Sequence, residues 1–148
     1  MTTVRQLLDG KPHRLLSVSP TATVYTALER MADYDVGALV VLSEGHLVGI
    51  FSERDYARRG ILTGKMSRET LVEELMTDRV LCVHPGETIA GCMSLMTQGR
   101  VRHLPVIDHG DLVGLVSIGD VVKALISDQQ FVITQLERYI HSPGVVWN

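Results

Sequence analysis

The chain has 148 residues, 45% of them hydrophobic and 21% charged, with a formal net charge of -3. Such a composition folds rather than staying disordered, and its mild acidity argues against nucleic acid as the main partner, which selects a basic surface. No apolar run approaches the roughly 18 residues a membrane span needs, and the opening MTTVRQLLDGKPHR lacks the apolar stretch of a secretory signal. Cys82 and Cys92 stand apart among apolar residues without a CxxC, and read as free, inert thiols in a reducing cytoplasm.

Two copies of one pattern fill most of the chain. Residues 18–57 align without a gap on residues 83–122, and 13 of those 40 positions are identical, Val18, Pro20, Thr23, Gly49, Ser52 and Asp55 among them. In chain order, a helical turn at 4–8 precedes a short apolar strand at 15–18, which Pro20 ends. Val24, Ala27, Leu28 and Met31 then fall at helical spacing, with Thr23 placed to cap. Strands follow at 38–42 and 47–51, joined by a four-residue connection containing Gly45, which suits a hairpin. Ser52 opens a second helix, and a polar linker covers about 60–70.

The second copy repeats the order. A helical turn at 71–76 leads to a strand at 80–83, then to a helix carrying Ile89, Cys92, Met93 and Met96 behind Thr88. Strands at 104–107 and 112–116 form its hairpin around Gly110, and Ser117 opens the next helix. Apolar spacing continues through Val122, Leu125, Ile126, Val132, Leu136, Tyr139 and Ile140, so a long C-terminal helix is expected, with Ser127 a candidate break and Ser142-Pro143-Gly144 as its stop. Its stripe at Val132, Leu136, Tyr139 and Ile140 must be buried, on its own domain or on a partner.

The segments GIFSERD (49–55) and GLVSIGD (114–120) share Gly, two apolar residues, Ser, any two, Asp. Ser followed three residues on by an acid, where a helix begins, is a capping box, which would account for both without a ligand. The same geometry suits a nucleotide. Amides at a helix start attract phosphate, and a carboxylate there accepts hydrogen bonds from a ribose diol. Gly49 and Gly114 would leave room for a base. Arg54 inside the first motif, with Arg102 and His103 before the second sheet, could supply phosphate contacts; Arg58 and Arg59 read as solvated. The copies differ, since SERD carries charges that SIGD lacks and Gly37-Ala38 stand where the second copy has Arg102-His103. The site at Ser52 and Asp55 should therefore bind better, borrowing Arg102 and His103 from the other half. An Asp on ribose disfavours a 2′-phosphate.

No other chemistry is legible. Of the six histidines, no two sit at i, i+4, and none accompanies Cys or a carboxylate at metal spacing. GxSxG, GxxxxGK[ST] and GxGxxG are missing, Ser52 and Ser117 lack an activating base, and the aromatics form no base-stacking platform. No catalytic residue and no metal are expected.

The repeat order, the RHLPVID strand and the two GxxSxxD segments resemble the CBS domain pair, the Bateman module named after cystathionine beta-synthase, in its small free-standing bacterial form. The resemblance covers about residues 2–126. It implies an α/β fold of two pseudo-symmetric β-α-β-β-α CBS repeats packed as a pair with a C-terminal helix, divided as repeat 1 (2–62), linker (63–70), repeat 2 (71–126) and helical tail (127–148). It also implies a homodimer, four repeats forming a disc, and an adenine nucleotide or adenosyl ligand in the cleft between repeats, with the motif Asp on ribose. The candidate ligand residues are then Ser52, Arg54, Asp55, Arg102, His103, Ser117 and Asp120, with Val18, Val36, Gly37, Val83, Val101 and Pro105 for the adenine. AMP is favoured, with ADP, ATP, NAD and S-adenosylmethionine admitted. The reading is a non-enzymatic cytoplasmic sensor with no covalent cofactor that signals to an unknown effector protein; the alternative is a dimeric interaction scaffold with empty clefts.

Overall fold

The structure, a computed structural model, describes residues 1–12 and 14–141, of His141 the backbone alone. The expected stop at Ser142-Pro143-Gly144, together with His13 and Trp147, lies outside the described residues. The architecture is α/β, with two repeats and a C-terminal helix. Two compact units form, and neither is a continuous stretch of chain.

The first unit comprises Arg14–Cys82 and Pro105–Leu115. Its sheet runs β1 (Ser17–Val18), β2 (Ala38–Ser43), β3 (His46–Ser52), with β1 parallel to β2 and β2 antiparallel to β3. A two-residue turn joins β2 to β3, in place of the four-residue connection expected from sequence. Glu44 and Gly45 both take positive φ, 50° and 81°, which matches the strand twist and lets Ser43 pair with His46. Helix α2 (Val24–Tyr34) starts where the Thr23 hydroxyl accepts the Thr26 amide at 3.1 Å, and it buries Val24, Ala27 and Met31. Those side chains meet Val18, Leu39, Val41 and Phe51 from the sheet, and Val72 and Leu75 from α4 (Val72–Leu75). After Ser52, a short α3 (Glu53–Asp55) widens into a π turn over Tyr56–Gly60 and a 3-10 turn over Ile61–Thr63.

The other unit comprises the chain before Arg14, Val83–Leu104 and the chain from Val116 onward. Helix α1 (Val4–Asp9) is closed by a capping box between Thr3 and Gln6. Helix α5 (Ile89–Gly99), capped by Thr88, buries Ile89, Cys92 and Met96. Strands β4 (His103–Asp108) and β5 (Asp111–Ser117) start and end in this unit, although Pro105–Leu115 between belongs to the first, and they pair as a separate two-stranded sheet, again through two positive-φ residues, His109 and Gly110. Helix α6 (Ile118–His141) runs unbroken through Ser127 and packs its first turns on α5. The expected strand at 80–83 reduces to a single bridge position at Val83.

Each leading helix serves the other copy. The amides of Val4 and Arg5 donate to the carbonyls of Glu87 and Pro85, and Ile89 donates back to Thr2 at 3.0 Å. In the first unit Val72 and Glu73 donate to Ala22 and Pro20, and Val24 donates to Thr70 at 2.8 Å. These bonds satisfy first-turn amides that a helix leaves without internal partners. Residues past α4 also cover the edge of β3, where Ile50 and Thr77 exchange two amide–carbonyl bonds of 2.9 Å.

That edge explains Gly49. A Cβ there would meet Met76 Sδ at 2.7 Å and the Thr77 carbonyl at 2.8 Å, so the room expected for a base is filled by the chain itself. Met76 can swing aside, whereas the Thr77 backbone is held by its two bonds to Ile50. Gly49→Ala should therefore lose about 1–3 kcal/mol of stability, measured as a lowered urea midpoint at unchanged slope.

Candidate functional site

Both GxxSxxD segments fold as capping boxes. At the end of β3, Asp55 Oδ2 accepts the Ser52 amide at 2.9 Å and the Ser52 hydroxyl at 3.0 Å, while the Asp55 amide donates to Ser52 Oγ at 3.2 Å. At the end of β5, Asp120 Oδ2 accepts the Ser117 amide at 2.9 Å, and the Asp120 amide donates to Ser117 Oγ at 3.2 Å. The preceding segment is tied in the same way each time. Glu53 N donates to the Gly37 carbonyl at 3.1 Å, and Ile118 N donates to the Arg102 carbonyl at 2.8 Å. The backbones at the two helix starts are thus equivalent.

Their side-chain surroundings are not. Asp55 Oδ1 accepts the Thr77 hydroxyl at 3.3 Å. Asp120 instead takes a cation, with Lys11 Nζ 2.6 Å from Oδ2. Burial alone would raise the Asp120 carboxyl, but the hydrogen bond and charge of Lys11, with the bonds from Ser117, outweigh it and hold the group below the ordinary carboxylate range. Sequence reasoning missed both partners. Lys11 lies 109 residues from Asp120 and Thr77 lies 22 residues from Asp55, so no local motif joins them.

The predicted residues divide between the units. Gly37, Ser52, Arg54 and Asp55 gather in the first, with Arg54 and Asp55 half-buried. Val18 and Val36 belong to that unit's core, Val18 only 8% exposed, and Pro105 is buried within β4. The second unit holds Val83, Val101, Arg102, His103, Ser117 and Asp120. There the main chain of Arg102 lies beside its own copy's Ser-x-x-Asp motif. Val83 is buried and Val101 half-buried.

Among the described residues, no three His, Cys, Asp or Glu side chains gather as a metal site, and no helix is long and apolar enough to cross a membrane. Cys82 and Cys92 are free. Burial, with Glu87 adding, pushes the Cys92 thiol up to about 11, and burial raises Cys82 as well. Neither is a thiolate near neutral pH, and the thiolate is the reactive form.

Two α/β copies, each with a capped acid at a helix start, define a paired-repeat module. The CBS domain family matches residues 11–61 and 72–127, and the chain belongs to that family, whose domains are in general regulatory modules. It is 42% identical over 123 residues to the CBS domain-containing protein CBSX3, mitochondrial, of Arabidopsis thaliana; the match covers 80% of this chain and 60% of that relative's length. A solved structure of a protein with CBS domains from Burkholderia ambifaria is 46% identical, superposes with a TM-score of 0.84, and is matched over 86% of this chain and 96% of that one. The same fold, at 24% identity and a TM-score of 0.74, occurs in the CBS domain pair of protein MJ0100, solved in complex with 5′-methylthioadenosine and S-adenosyl-L-methionine and matched over 86% of this chain and 98% of that one.

The Lys11 contact has a pH consequence. A carboxyl held below its unfolded pKa adds stability above that unfolded value, and the gain is lost as pH falls through the folded one. Lys11→Met should raise the Asp120 pKa, read from its carboxyl carbon chemical shift, and shrink the loss of melting temperature on acidification. An unchanged Asp120 titration would refute the assignment.

Proposed function

We propose that the chain is a non-enzymatic sensor that binds an adenine nucleotide or adenosyl compound, AMP favoured, through the helix start at Ser52–Asp55, and that it acts in the cytoplasm as a homodimer signalling to an effector protein. The observation that carries this reading is the state of the Asp55 carboxylate. Its capping bonds fall on Oδ2, and among the described residues Oδ1 meets a single neutral hydroxyl at 3.3 Å. An ionised carboxylate offers about four acceptor positions. Capping therefore orients this group and leaves capacity for a ribose diol, so the cap and the ligand do not compete. Arg54 stands one residue away to meet phosphate, and Arg102 and His103 are the further candidates. The adenosyl compounds held by the MJ0100 pair lend support at the level of the fold.

Asp120 is the weaker acceptor. A ribose hydroxyl must share or displace the ammonium of Lys11, a charge-assisted bond about twice as strong as a neutral one. The same contact favours a second reading for that half, a closed site whose role is structural.

Calorimetric titration with AMP, ADP, ATP, NAD and S-adenosylmethionine tests both. At least one should bind, and at a hundred times its Kd should add about 2.7 kcal/mol of stability. Asp55→Ala should abolish most of that gain, and Asp120→Ala little of it. Silence from all five would favour the scaffold, and equal losses in the two variants would refute the ranking of the sites.

A further inference from the structure

From Val122 onward, helix α6 carries an apolar face that nothing among the described residues covers. Val122, Ile126, Val132, Ile133, Leu136, Tyr139 and Ile140 are each between 40% and 72% exposed. Monomeric proteins rarely leave a contiguous apolar patch of this kind in water. The spacing is specific. Val122, Ile126, Gln129, Ile133, Leu136 and Ile140 alternate steps of four and three, the seam of a two-stranded coiled coil. Leu125, Val132 and Tyr139 widen the seam on one side, and Lys123, Gln130 and Glu137 flank it on the other. A shallow hollow bordered by Asp128, Gln129, Val132 and Ile133 marks its middle. Phe131 projects off this face.

We propose that this face binds a second copy of the chain, with the two α6 helices antiparallel about a two-fold axis beside residue 131. The sequence is complementary to itself in that arrangement. Val122 then faces Ile140 of the second copy, Ile126 faces Leu136 and Gln129 faces Ile133, each contact made twice, as a two-fold interface requires. On one flank Val132 meets its own counterpart and Leu125 meets Tyr139. On the other flank Gln130 meets its counterpart, and Lys123 meets Glu137 of the second copy. Charge decides the direction. A parallel pair would set Lys123 against Ile118 and Glu137 against Val132, leaving both charges beside apolar groups without partners, whereas the antiparallel pair matches both. The pairing is independent of the nucleotide reading, because none of these residues belongs to the ligand site proposed above.

Sedimentation equilibrium of the full chain should give twice the 16.3 kDa mass of one copy. Ile133→Glu with Leu136→Glu should give a monomer that keeps its far-UV circular dichroism and its nucleotide titration, since the replaced side chains are exposed within one copy, and its melting temperature should no longer depend on protein concentration. Glu137→Lys should weaken the dimer about tenfold or more by opposing like charges, and adding Lys123→Glu should restore it. In a Cys82→Ser background, Val132→Cys should form an intermolecular disulfide on mild oxidation and Ile126→Cys should not. A monomeric wild type, a dimer unchanged by the double Glu variant, or crosslinking through position 126 in place of 132 would overturn the proposal.

Discussion

The fold depends on the exchange of two short segments. Every helix start carries amides with no internal partner, and burying them unpaired is costly. This chain pairs them reciprocally. The residues around Val4 lie against the start of α5, the residues around Val72 lie against the start of α2, and each side donates to the other. The carbonyls of Pro20 and Pro85 accept at equivalent places, a role that proline retains although it cannot donate. Each unit is therefore incomplete without a piece that precedes the other copy in sequence. That piece also delivers the side chain beside the motif acid, Lys11 after α1 and Thr77 after α4.

The sequence reading succeeded where the cause is local. Val24, Ala27 and Met31 mark one face of α2 because helical period and burial coincide, and the first strand of each hairpin was visible as a short apolar run because its residues are buried in succession. The turn lengths were misjudged, because a non-glycine residue at positive φ, Glu44 or His109, leaves little trace in composition. The strand expected at 80–83 fails for a different reason. Apolar residues were present, but a strand also needs a ladder partner, and only Val83 finds one. The exchange of leading helices was not legible at all. Two copies of one pattern look the same whether each helix serves its own copy or the other, and only the long-range bonds distinguish them.

The Ser and Asp of both motifs were found, but their meaning was divided too sharply. Capping and ribose binding were weighed as alternatives, whereas the Asp55 cap uses Oδ2 and Oδ1 meets the Thr77 hydroxyl, so the cap by itself does not exhaust the carboxylate. The difference between the copies was expected from SERD against SIGD and from the arginines. The larger difference is Lys11, a neutralising cation that arrives from the far end of the chain. For Gly49 the requirement for a missing side chain was read correctly and its cause was not. Close approach of a backbone segment and close approach of a ligand both demand glycine, and here the segment at Met76–Thr77 occupies the space.

A ligand regulates only where it favours one state over another, and the bonds around Asp120 set what any such change at the start of α6 would have to break. Asp120 stands in the first turn of α6 and holds Lys11, while Thr2 is bonded to Asp128 two turns further along the same helix, through its hydroxyl at 2.7 Å and its amide at 3.3 Å. The N-terminal segment is thus fastened to α6 at two points. Those bonds lie on the same rigid helix as the apolar seam, which at 1.5 Å per residue is about 36 Å long. A ligand hydroxyl that took Asp120 would release the first fastening and leave the second. The free energy such a release would cost is bounded by the strength of the Lys11 contact, a charge-assisted bond that repeat 1 lacks, since beyond its cap Asp55 meets the neutral Thr77 hydroxyl.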